Sequence, residues 1–278
     1  MYRKIFIDKY LTNNFDFNEA VAEVDFALET LFNFTYKDFM LGKKLEKWQL
    51  SKITSVIDER VSTHRPIQQI IGQANFCSRH FFVNGSTLIP RPETEILVEQ
   101  ALKIAKENNL TKILDIGTGS GCIPISIVLE NKNITAHAVD ISKDALETAK
   151  RNALLHNVYE KIKFYESDVF DNVEEKFDII ISNPPYIPLK DKDSLQIEVK
   201  NFDPPSALFT NDDDGIEFYE EIISLAKDFL LPNGYLMFEL GKGQYKKVSA
   251  LLKEENFKGI TVIKDLNSIE RVIISQKW

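Results

Sequence analysis

Residues 113–122 read Ile-Leu-Asp-Ile-Gly-Thr-Gly-Ser-Gly-Cys, an apolar segment that runs into a glycine-rich turn and then into a helical pattern. Glycine adopts positive φ angles easily and lets the main chain approach a ligand without a Cβ in the way. A strand, a glycine-rich turn and a helix in this order are typical of nucleotide-binding α/β folds. No Lys follows the glycines, which excludes a P-loop of the Gly-Lys-Ser/Thr type.

Strands and helices alternate from this stretch onward, which predicts a mostly parallel sheet with helices on both faces. The seven predicted strands are Ile113–Ile116, Thr135–Val139, Ile162–Tyr165, Phe177–Ser182, Tyr235–Leu240, Ile260–Ile263 and Arg271–Ser275. Helices are predicted over residues 93–107, 121–130, 142–156, 215–230 and 243–255. Residues 189–214 show no periodicity, and a segment of this length predicts a functional loop over the site.

The part of the chain before residue 70 has helical periodicity, clearest over residues 18–59, and no strand alternation. Aromatic residues then surround Asn84-Gly85, a dipeptide that is a strong turn signal and predicts a β-hairpin centred there. We therefore predict an N-terminal all-helical domain over residues 1–72, a hairpin linker over residues 73–90 and an α/β domain over residues 91–278.

The composition narrows the classes of function. The chain has 34 Lys and Arg residues and 42 Asp and Glu residues, so its net charge is −8. Because a negatively charged surface repels the phosphate backbone, we do not expect a protein that wraps DNA. No run of about 18 apolar residues predicts a membrane span. The early charges in the N-terminal segment do not fit a secretory signal, so Cys77 and Cys122 are expected as free thiols in a cytoplasmic protein. The spacing of the four histidines predicts no metal site.

Acidic residues follow the first three predicted strands or lie within them. Asp140 ends the second strand, where a carboxylate can bind ribose hydroxyls, and Asp168 and Val169 follow the third, where an adenine could lie. Asp115 precedes the glycine turn, and a carboxylate there suits the amino group of S-adenosylmethionine better than a pyrophosphate. A dinucleotide remains possible at this point, because acidic ribose partners occur in both classes.

The fourth strand ends in Asn183-Pro184-Pro185-Tyr186. An Asn side chain offers an acceptor and two donors, the two prolines remove N–H groups and leave carbonyl oxygens, and the Tyr ring offers a flat apolar face. This combination suits a planar target with an NH2 group, which is either a carboxamide or an exocyclic base amine.

Taken together, these residues resemble the bacterial release factor glutamine methyltransferases, and the resemblance covers most of the chain. The shared segments are the helical N-terminal region, residues 90–95 (Pro-Arg-Pro-Glu-Thr-Glu), 115–121, 139–140, 183–188, 203–208, 214–219 and 238–241. The Pro-Arg-Pro-Glu-Thr-Glu segment and the N-terminal domain are the most specific of these. The family usually has Glu at the position of Asp203.

The resemblance implies a class I S-adenosylmethionine-dependent methyltransferase with a Rossmann-like seven-stranded sheet and an N-terminal domain that binds the protein substrate. Its implied reaction is N5-methylation of the Gln in the Gly-Gly-Gln motif of class 1 peptide-chain release factors, by direct in-line transfer from S-adenosylmethionine. Neither a metal nor a direct contact with nucleic acid or membrane is expected.

The predicted site residues divide by role. The cofactor is expected to contact Asp115, Gly117, Thr118, Gly119, Ser120, Gly121, Asp140, Ile141, Asp168, Val169 and Asn183. The substrate is expected to contact Asn183, Pro184, Pro185 and Tyr186. The side-chain oxygen of Asn183 and the main-chain carbonyl of Pro184 are expected to accept the two amide hydrogens, while Tyr186 packs on the amide plane, so Asn183, Pro184 and Tyr186 are the predicted catalytic residues.

Three alternatives stay open at this point. The first is adenine-N6 methylation of nucleic acid, the second a non-catalytic adaptor with the same fold, and the third a nucleotide-dependent oxidoreductase. Arg91 and Glu198 could contact the protein substrate or act only as structural charges.

Overall fold

The computed structural model describes residues 2–278. The helices are α1 (Tyr2–Thr12), α2 (Phe17–Phe32), α3 (Tyr36–Met40), α4 (Lys47–Thr63), α5 (Ile67–Ile71), α6 (Thr94–Asn108), α7 (Cys122–Glu130), α8 (Lys143–Leu155), α9 (Ile197–Phe202), α10 (Glu217–Phe229) and α11 (Tyr245–Glu254). The strands are β1 (Gln73–Phe76), β2 (Arg79–Phe82), β3 (Lys112–Ile116), β4 (Thr135–Asp140), β5 (Ile162–Glu166), β6 (Phe177–Ser182), β7 (Ile187–Pro188), β8 (Phe209–Thr210), β9 (Leu230–Glu239), β10 (Lys258–Lys264) and β11 (Glu270–Gln276).

These elements form two compact units. One unit comprises residues 2–73 together with residues 196–202, and the other comprises residues 74–195 and 203–278. Neither unit is therefore continuous in sequence. None of the helices in residues 2–278 combines the length and the apolar character needed to cross a bilayer.

The first unit is a helical assembly around one apolar core, to which Tyr10, Val24, Leu28 and Ile57 contribute fully buried side chains. α1 lies within the predicted helical domain but before residues 18–59, where the helical period is clearest, because only Phe6, Ile7 and Tyr10 are buried among its charges. The guanidinium of Arg60 is also buried here, at 1% exposure. It donates hydrogen bonds to carboxylates of α2 and α9, which are Glu19, Glu23 and Glu198.

The second unit contains a seven-stranded sheet with the order β10-β11-β9-β6-β3-β4-β5. Neighbours from β9 to β5 are parallel, whereas β11 is antiparallel to both β9 and β10. The prediction of a mostly parallel seven-stranded sheet is thus confirmed. The helices α7, α8, α10 and α11 lie within the predicted ranges.

Alternate residues of the central strands face opposite layers of helices, as a two-fold side-chain period requires. In β6, Ile179 and Ile181 pack with α6 and α7, while Ile180 packs with α10 and α11. The strand is buried on both faces, which explains its continuous apolar sequence.

The hairpin differs from its prediction. β1 and β2 are joined at Cys77-Ser78, which have φ angles of 47° and 59°, so the turn lies seven residues before the predicted Asn84-Gly85. Two positive φ angles are typical of a tight two-residue hairpin turn, and the Cys77 N–H donates to Glu95 Oε1 at 2.8 Å. Asn84 instead forms a local turn, because its Oδ1 accepts hydrogen bonds from the N–H and hydroxyl of Ser86.

Residues 189–214 contain more structure than the predicted loop. α9 lies within this segment, and the two-residue strands β7 and β8 pair in parallel on either side of it. Elements of two to six residues are too short to produce a detectable hydrophobic period, so the sequence pattern does not reveal them.

Candidate active site

The carboxyl ends of β3, β4, β5 and β6 meet at one edge of the sheet, where a parallel α/β sheet usually binds its ligands. A cavity of about 350 Å³ lies at this edge, a size within the range of small-molecule sites. Many of the predicted site residues line it: Gly117, Thr118, Gly119, Ser120, Asp140, Ile141, Asp168, Val169, Asn183, Pro184 and Pro185.

Three predicted residues lie behind this lining. Asp115 is fully buried in β3, and Gly121 packs against α8, where an added Cβ would lie 3.0 Å from the Ala149 Cβ. Tyr186 packs on the apolar core beneath α10 and α11, and its main-chain carbonyl accepts a hydrogen bond from Gln244 at 2.9 Å. The structure therefore brings Asn183, Pro184 and Pro185 to the cavity wall and holds the Tyr186 ring in a packed environment.

The glycine turn is shaped by hydrogen bonds to the end of β4. The N–H groups of Gly117 and Thr118 both donate to the Val139 carbonyl at 2.9 Å. The N–H of Gly119 donates to Asp140 Oδ2 at 2.8 Å, and that of Ser142 donates to Oδ1 at 2.9 Å. Asp140 therefore connects the glycine turn to the start of α8, while burial raises the pKa of its carboxyl.

Asp115 has an unusual environment for a carboxyl group. It is 0% exposed, and neither of its side-chain oxygens has a hydrogen-bond partner within residues 2–278. Burial raises the pKa of Asp115 to about 7, the nearby Thr118 hydroxyl opposes the rise, and the charge of Asp140 adds to it. A buried, unpaired carboxyl of this kind is suited to a cationic group that arrives with a ligand.

Two apolar side chains at the cavity, Ile141 and Val169, suit a flat apolar group. Ile141 is 59% exposed although it is apolar and lies at the cavity. Val169 also lines the cavity, with a φ of 42°. A β-branched residue with positive φ is a genuine outlier, and such strain is often found at ligand sites.

Asn183 makes a polar contact with buried Thr94, which in turn contacts buried Glu239. Its side-chain NH2 donates to Thr94 Oγ1 at 3.4 Å, and the Thr94 hydroxyl donates to Glu239 Oε2 at 2.6 Å. Burial raises the pKa of Glu239 to about 7 and the Glu93 charge raises it further, while the hydrogen bond from Thr94 and the nearby Asn183 amide oppose the rise. With the NH2 group engaged in this way, the side-chain oxygen of Asn183 is left as an acceptor.

Some cavity residues are absent from the predicted site. They are Ser86, Thr87, Leu88, Pro90, Arg91, Thr94, Ser142, Ala145, Ser167, Ser182, Ser206, Ala207, Phe209, Phe218 and Ile222, with parts of β3 and α7. Residues 86–94 carry a usable signal, because they include the Pro-Arg-Pro-Glu-Thr-Glu segment. Arg91 lines the cavity and donates to Asp203 Oδ2 at 2.7 Å, which gives both residues a structural partner. Glu198, in contrast, belongs to the helical unit and pairs with Arg60.

Within residues 2–278, no group of three or more His, Cys, Asp or Glu side chains is arranged to hold a metal ion. The predicted absence of a metal cofactor stays a prediction.

Comparisons with known proteins agree with this geometry. Residues 92–201 match the Methyltransferase small domain family. A solved structure of the T. thermophilus 16S rRNA N2 G1207 methyltransferase in complex with AdoMet and guanosine has the same fold, with a TM-score of 0.52 and 16% identity. The aligned region covers 74% of this chain and 50% of the chain in that structure.

Two relatives identified by sequence have a higher identity to this chain. The release factor glutamine methyltransferase of Flavobacterium psychrophilum is 39% identical over 280 residues, which cover 98% of this chain and 96% of the relative. The enzyme of the same name from Fusobacterium nucleatum subsp. nucleatum is 38% identical over 241 residues, or 86% of this chain and 68% of the relative. These relatives confirm the resemblance found in the sequence. The chain is a methyltransferase and belongs to the release factor glutamine methyltransferase family.

Proposed function

We propose that this enzyme uses S-adenosylmethionine to methylate the side-chain amide nitrogen of the Gln in the Gly-Gly-Gln motif of class 1 peptide-chain release factors. The observation that carries this proposal is the amide of Asn183 on the cavity wall, because its nitrogen donates to Thr94, whose hydroxyl is held by Glu239, and its oxygen is left to accept. A primary amide in the substrate has two hydrogens for such acceptors. The names of the relatives support the choice of release factors as substrates.

The residues at the cavity fit S-adenosylmethionine. We infer that the unpaired Asp115 carboxylate attracts the cationic amino group, that Asp140 accepts from the ribose hydroxyls, and that Ile141 and Val169 pack on the adenine. The glycine turn allows the main chain to approach the ligand closely. When bound, S-adenosylmethionine supplies a methyl group attached to a positively charged sulfur.

The protein then acts by positioning the substrate amide. The side-chain oxygen of Asn183 and the main-chain carbonyl of Pro184 accept the two amide hydrogens, which directs the nitrogen lone pair toward the methyl donor. The amide nitrogen gains positive charge as it attacks, so both acceptors bind it more strongly in the transition state. Stacking of the Tyr186 ring on the amide plane is part of the proposal, although that ring is packed on the core in this structure.

The proposal includes a cytoplasmic location. Both cysteines, Cys77 and Cys122, are free thiols, which is usual in a reducing compartment.

Asn183→Ala tests the proposal. Without the acceptor, methylation of a release factor should fall by roughly 100-fold or more, the usual effect of losing one preorganised polar group. Binding of S-adenosylhomocysteine should change little, because the other cavity residues remain. Mass spectrometry of Gly-Gly-Gln peptides and isothermal titration calorimetry measure the two effects.

Asn108→Ala, at an exposed Asn near the end of α6, is the matched control and should behave as wild type. Normal methylation by Asn183→Ala would overturn the assigned mechanism. Methyl transfer to DNA, with none to a release factor, would favour adenine methylation instead.

A further inference from the structure

Two buried residues outside the predicted site, Thr94 and Glu239, lie next to the Asn183 amide or to its hydrogen-bond partner. Thr94, at the start of α6, is 3% exposed, and Glu239, at the end of β9, is 2% exposed. Thr94 contacts both of the other groups, since it donates to Glu239 Oε2 and accepts from Asn183 Nδ2. Glu239 is thus linked to Asn183 through the Thr94 hydroxyl.

The hydrogen count at this cluster fixes one orientation. A Thr hydroxyl has a single hydrogen, and Thr94 donates it to Glu239, so toward Asn183 its oxygen can only accept. An ionised carboxylate also only accepts. With its one hydrogen held by the ionised Glu239, Thr94 therefore requires the NH2 end of Asn183. The reversed amide would place its oxygen against the Thr94 oxygen, which has no hydrogen left to donate, and present its NH2 group to the cavity.

A reversed Asn183 could not accept the hydrogens of a substrate amide. We propose that Glu239 and Thr94 are positioning residues that hold the acceptor oxygen of Asn183 toward the methyl-accepting nitrogen, an inference that rests on the function proposed above. Neither residue needs to touch the substrate for this role, although Thr94 lines the cavity.

The orientation should depend on the ionisation of Glu239. Its carboxyl faces the hydroxyl of Thr94 and the amide of Asn183, and the charged or titratable groups around it are Glu93, Arg271, Tyr186, Tyr219 and Cys122. A protonated Glu239 can donate to the Thr94 oxygen, which frees the Thr94 hydrogen to bond the oxygen of a reversed Asn183 amide. Because the pKa of Glu239 is raised to about 7, turnover should fall as the pH drops below that value.

The test uses Glu239→Gln and Thr94→Val, with Thr94→Ser as the conservative variant. Gln keeps the size of Glu239 but can donate through its own NH2, and Val removes the hydroxyl. We expect kcat at saturating cofactor and release factor to fall roughly 10- to 100-fold in both, and to return in Thr94→Ser. S-adenosylhomocysteine affinity should stay at the wild-type value. The decline of kcat below pH 7 should be absent in Glu239→Gln.

A second measurement does not depend on methyl transfer. In protein labelled with ¹⁵N-asparagine, the Asn183 side-chain NH2 signals are identified by their loss in Asn183→Ala. Glu239→Gln and Thr94→Val should shift these signals and speed their exchange with water, whereas Thr94→Ser should not. Thermal unfolding checks that each variant is folded.

The outcomes separate the two proposals. Shifted NH2 signals together with an inactive wild-type enzyme would retain the positioning role and overturn the proposed substrate. An active wild type, with normal kcat and unshifted signals in both folded variants, would overturn the positioning role.

Discussion

A carboxylate that is buried without a partner destabilises a protein when it is ionised. Asp115 is such a group, since its pKa is raised to about 7 from an unfolded value near 4. The folded protein therefore holds a proton on Asp115 that the unfolded chain has released between about pH 4 and pH 7. Over this range Asp115 makes the free enzyme less stable as the pH rises, and the full penalty is present above pH 7.

Asp115→Asn should remove this effect and should also change cofactor binding. A cationic amino group prefers the ionised form, so in the wild type the affinity for S-adenosylhomocysteine should increase as the pH rises through 7. In Asp115→Asn the affinity should be lower and its dependence on pH weaker, while the free protein becomes more stable above pH 7. Calorimetric titrations and urea unfolding from pH 6 to pH 8 measure both.

Asp144→Asn is the matched control, because Asp144 is an exposed carboxylate in the first turn of α8. It should keep the wild-type pH dependence of binding. An unchanged pH dependence in Asp115→Asn would remove Asp115 from the cofactor site.

The sequence predicts site residues at strand ends and misses their supporting residues. Asn183 and Asp140 are recognisable because each follows a strand of known pattern, and such ends share one edge of the sheet. Thr94 is 89 residues from Asn183 and 145 residues from Glu239. No local pattern connects positions so distant, so the orientation of Asn183 becomes apparent only in three dimensions.

At the level of elements, the glycine turn depends on how closely α7 and α8 pack. Gly121 has a φ of 77°, and a Cβ at this position would lie 3.0 Å from the Ala149 Cβ and 3.1 Å from Ile125 Cδ1. The third glycine of the turn therefore serves the contact between the turn and α8, and it is not a lining residue of the cavity.

Gly121→Ala should combine backbone strain with a steric clash. We expect a loss of about 2–3 kcal/mol in the free energy of unfolding, from a left-handed alanine and an overpacked contact together. Gly243→Ala is the control for strain alone, because Gly243 has a φ of 86° and no heavy atom within 4 Å of the added Cβ. Gly243→Ala should lower the free energy of unfolding by about 1 kcal/mol. Equal losses in urea unfolding would contradict the packing role of Gly121.

Elements with a clear period are predictable from the sequence, and others are not. The central strands are continuous apolar runs that alternate with helical segments. Both their identity as strands and their parallel orientation are therefore recognisable from the sequence. α1 is obscured by its charges, and the hairpin turn at Cys77-Ser78 lacks the usual glycine. The hydrogen bond from Cys77 to Glu95 supports a turn that its own residues do not favour.

At the scale of the whole molecule, Arg60 organises the helical unit. It is 1% exposed and pairs with Glu19, Glu23 and Glu198, while its guanidinium lies 4.6 Å from the centre of the Phe15 ring. Arg60→Met should leave these carboxylates without their cation and lower the free energy of unfolding by about 2–3 kcal/mol, since hydrogen bonds to charged groups are strong.

Arg3→Met is the matched control, because the Arg3–Asp25 pair lies in the same unit with side chains that are 22% and 36% exposed. Loss of the Arg3–Asp25 pair should lower the free energy of unfolding by less than about 1 kcal/mol. Urea unfolding compares the two variants, and limited proteolysis should show faster cleavage at residues 196–202 in Arg60→Met only. Equal stabilities would show that Arg60 is not required for this unit.

The division into residues 1–72, 73–90 and 91–278 stays a prediction, and so does substrate binding by the N-terminal region. The sequence did not predict that residues 196–202 belong with the helical unit, because the partner of Glu198 is Arg60, 138 residues away.

This interleaving of the chain limits how the enzyme can be dissected. A fragment that starts at residue 74 would still carry α9, but without the guanidinium that Glu198 binds or the side chain of Gln69, which donates to the Phe202 carbonyl. A fragment that stops at residue 73 would leave the buried Arg60 without Glu198, one of its three carboxylate partners. The α/β piece alone therefore requires a short Gly-Ser bridge in place of residues 196–202. The helical piece alone requires residues 196–202 to be attached to it.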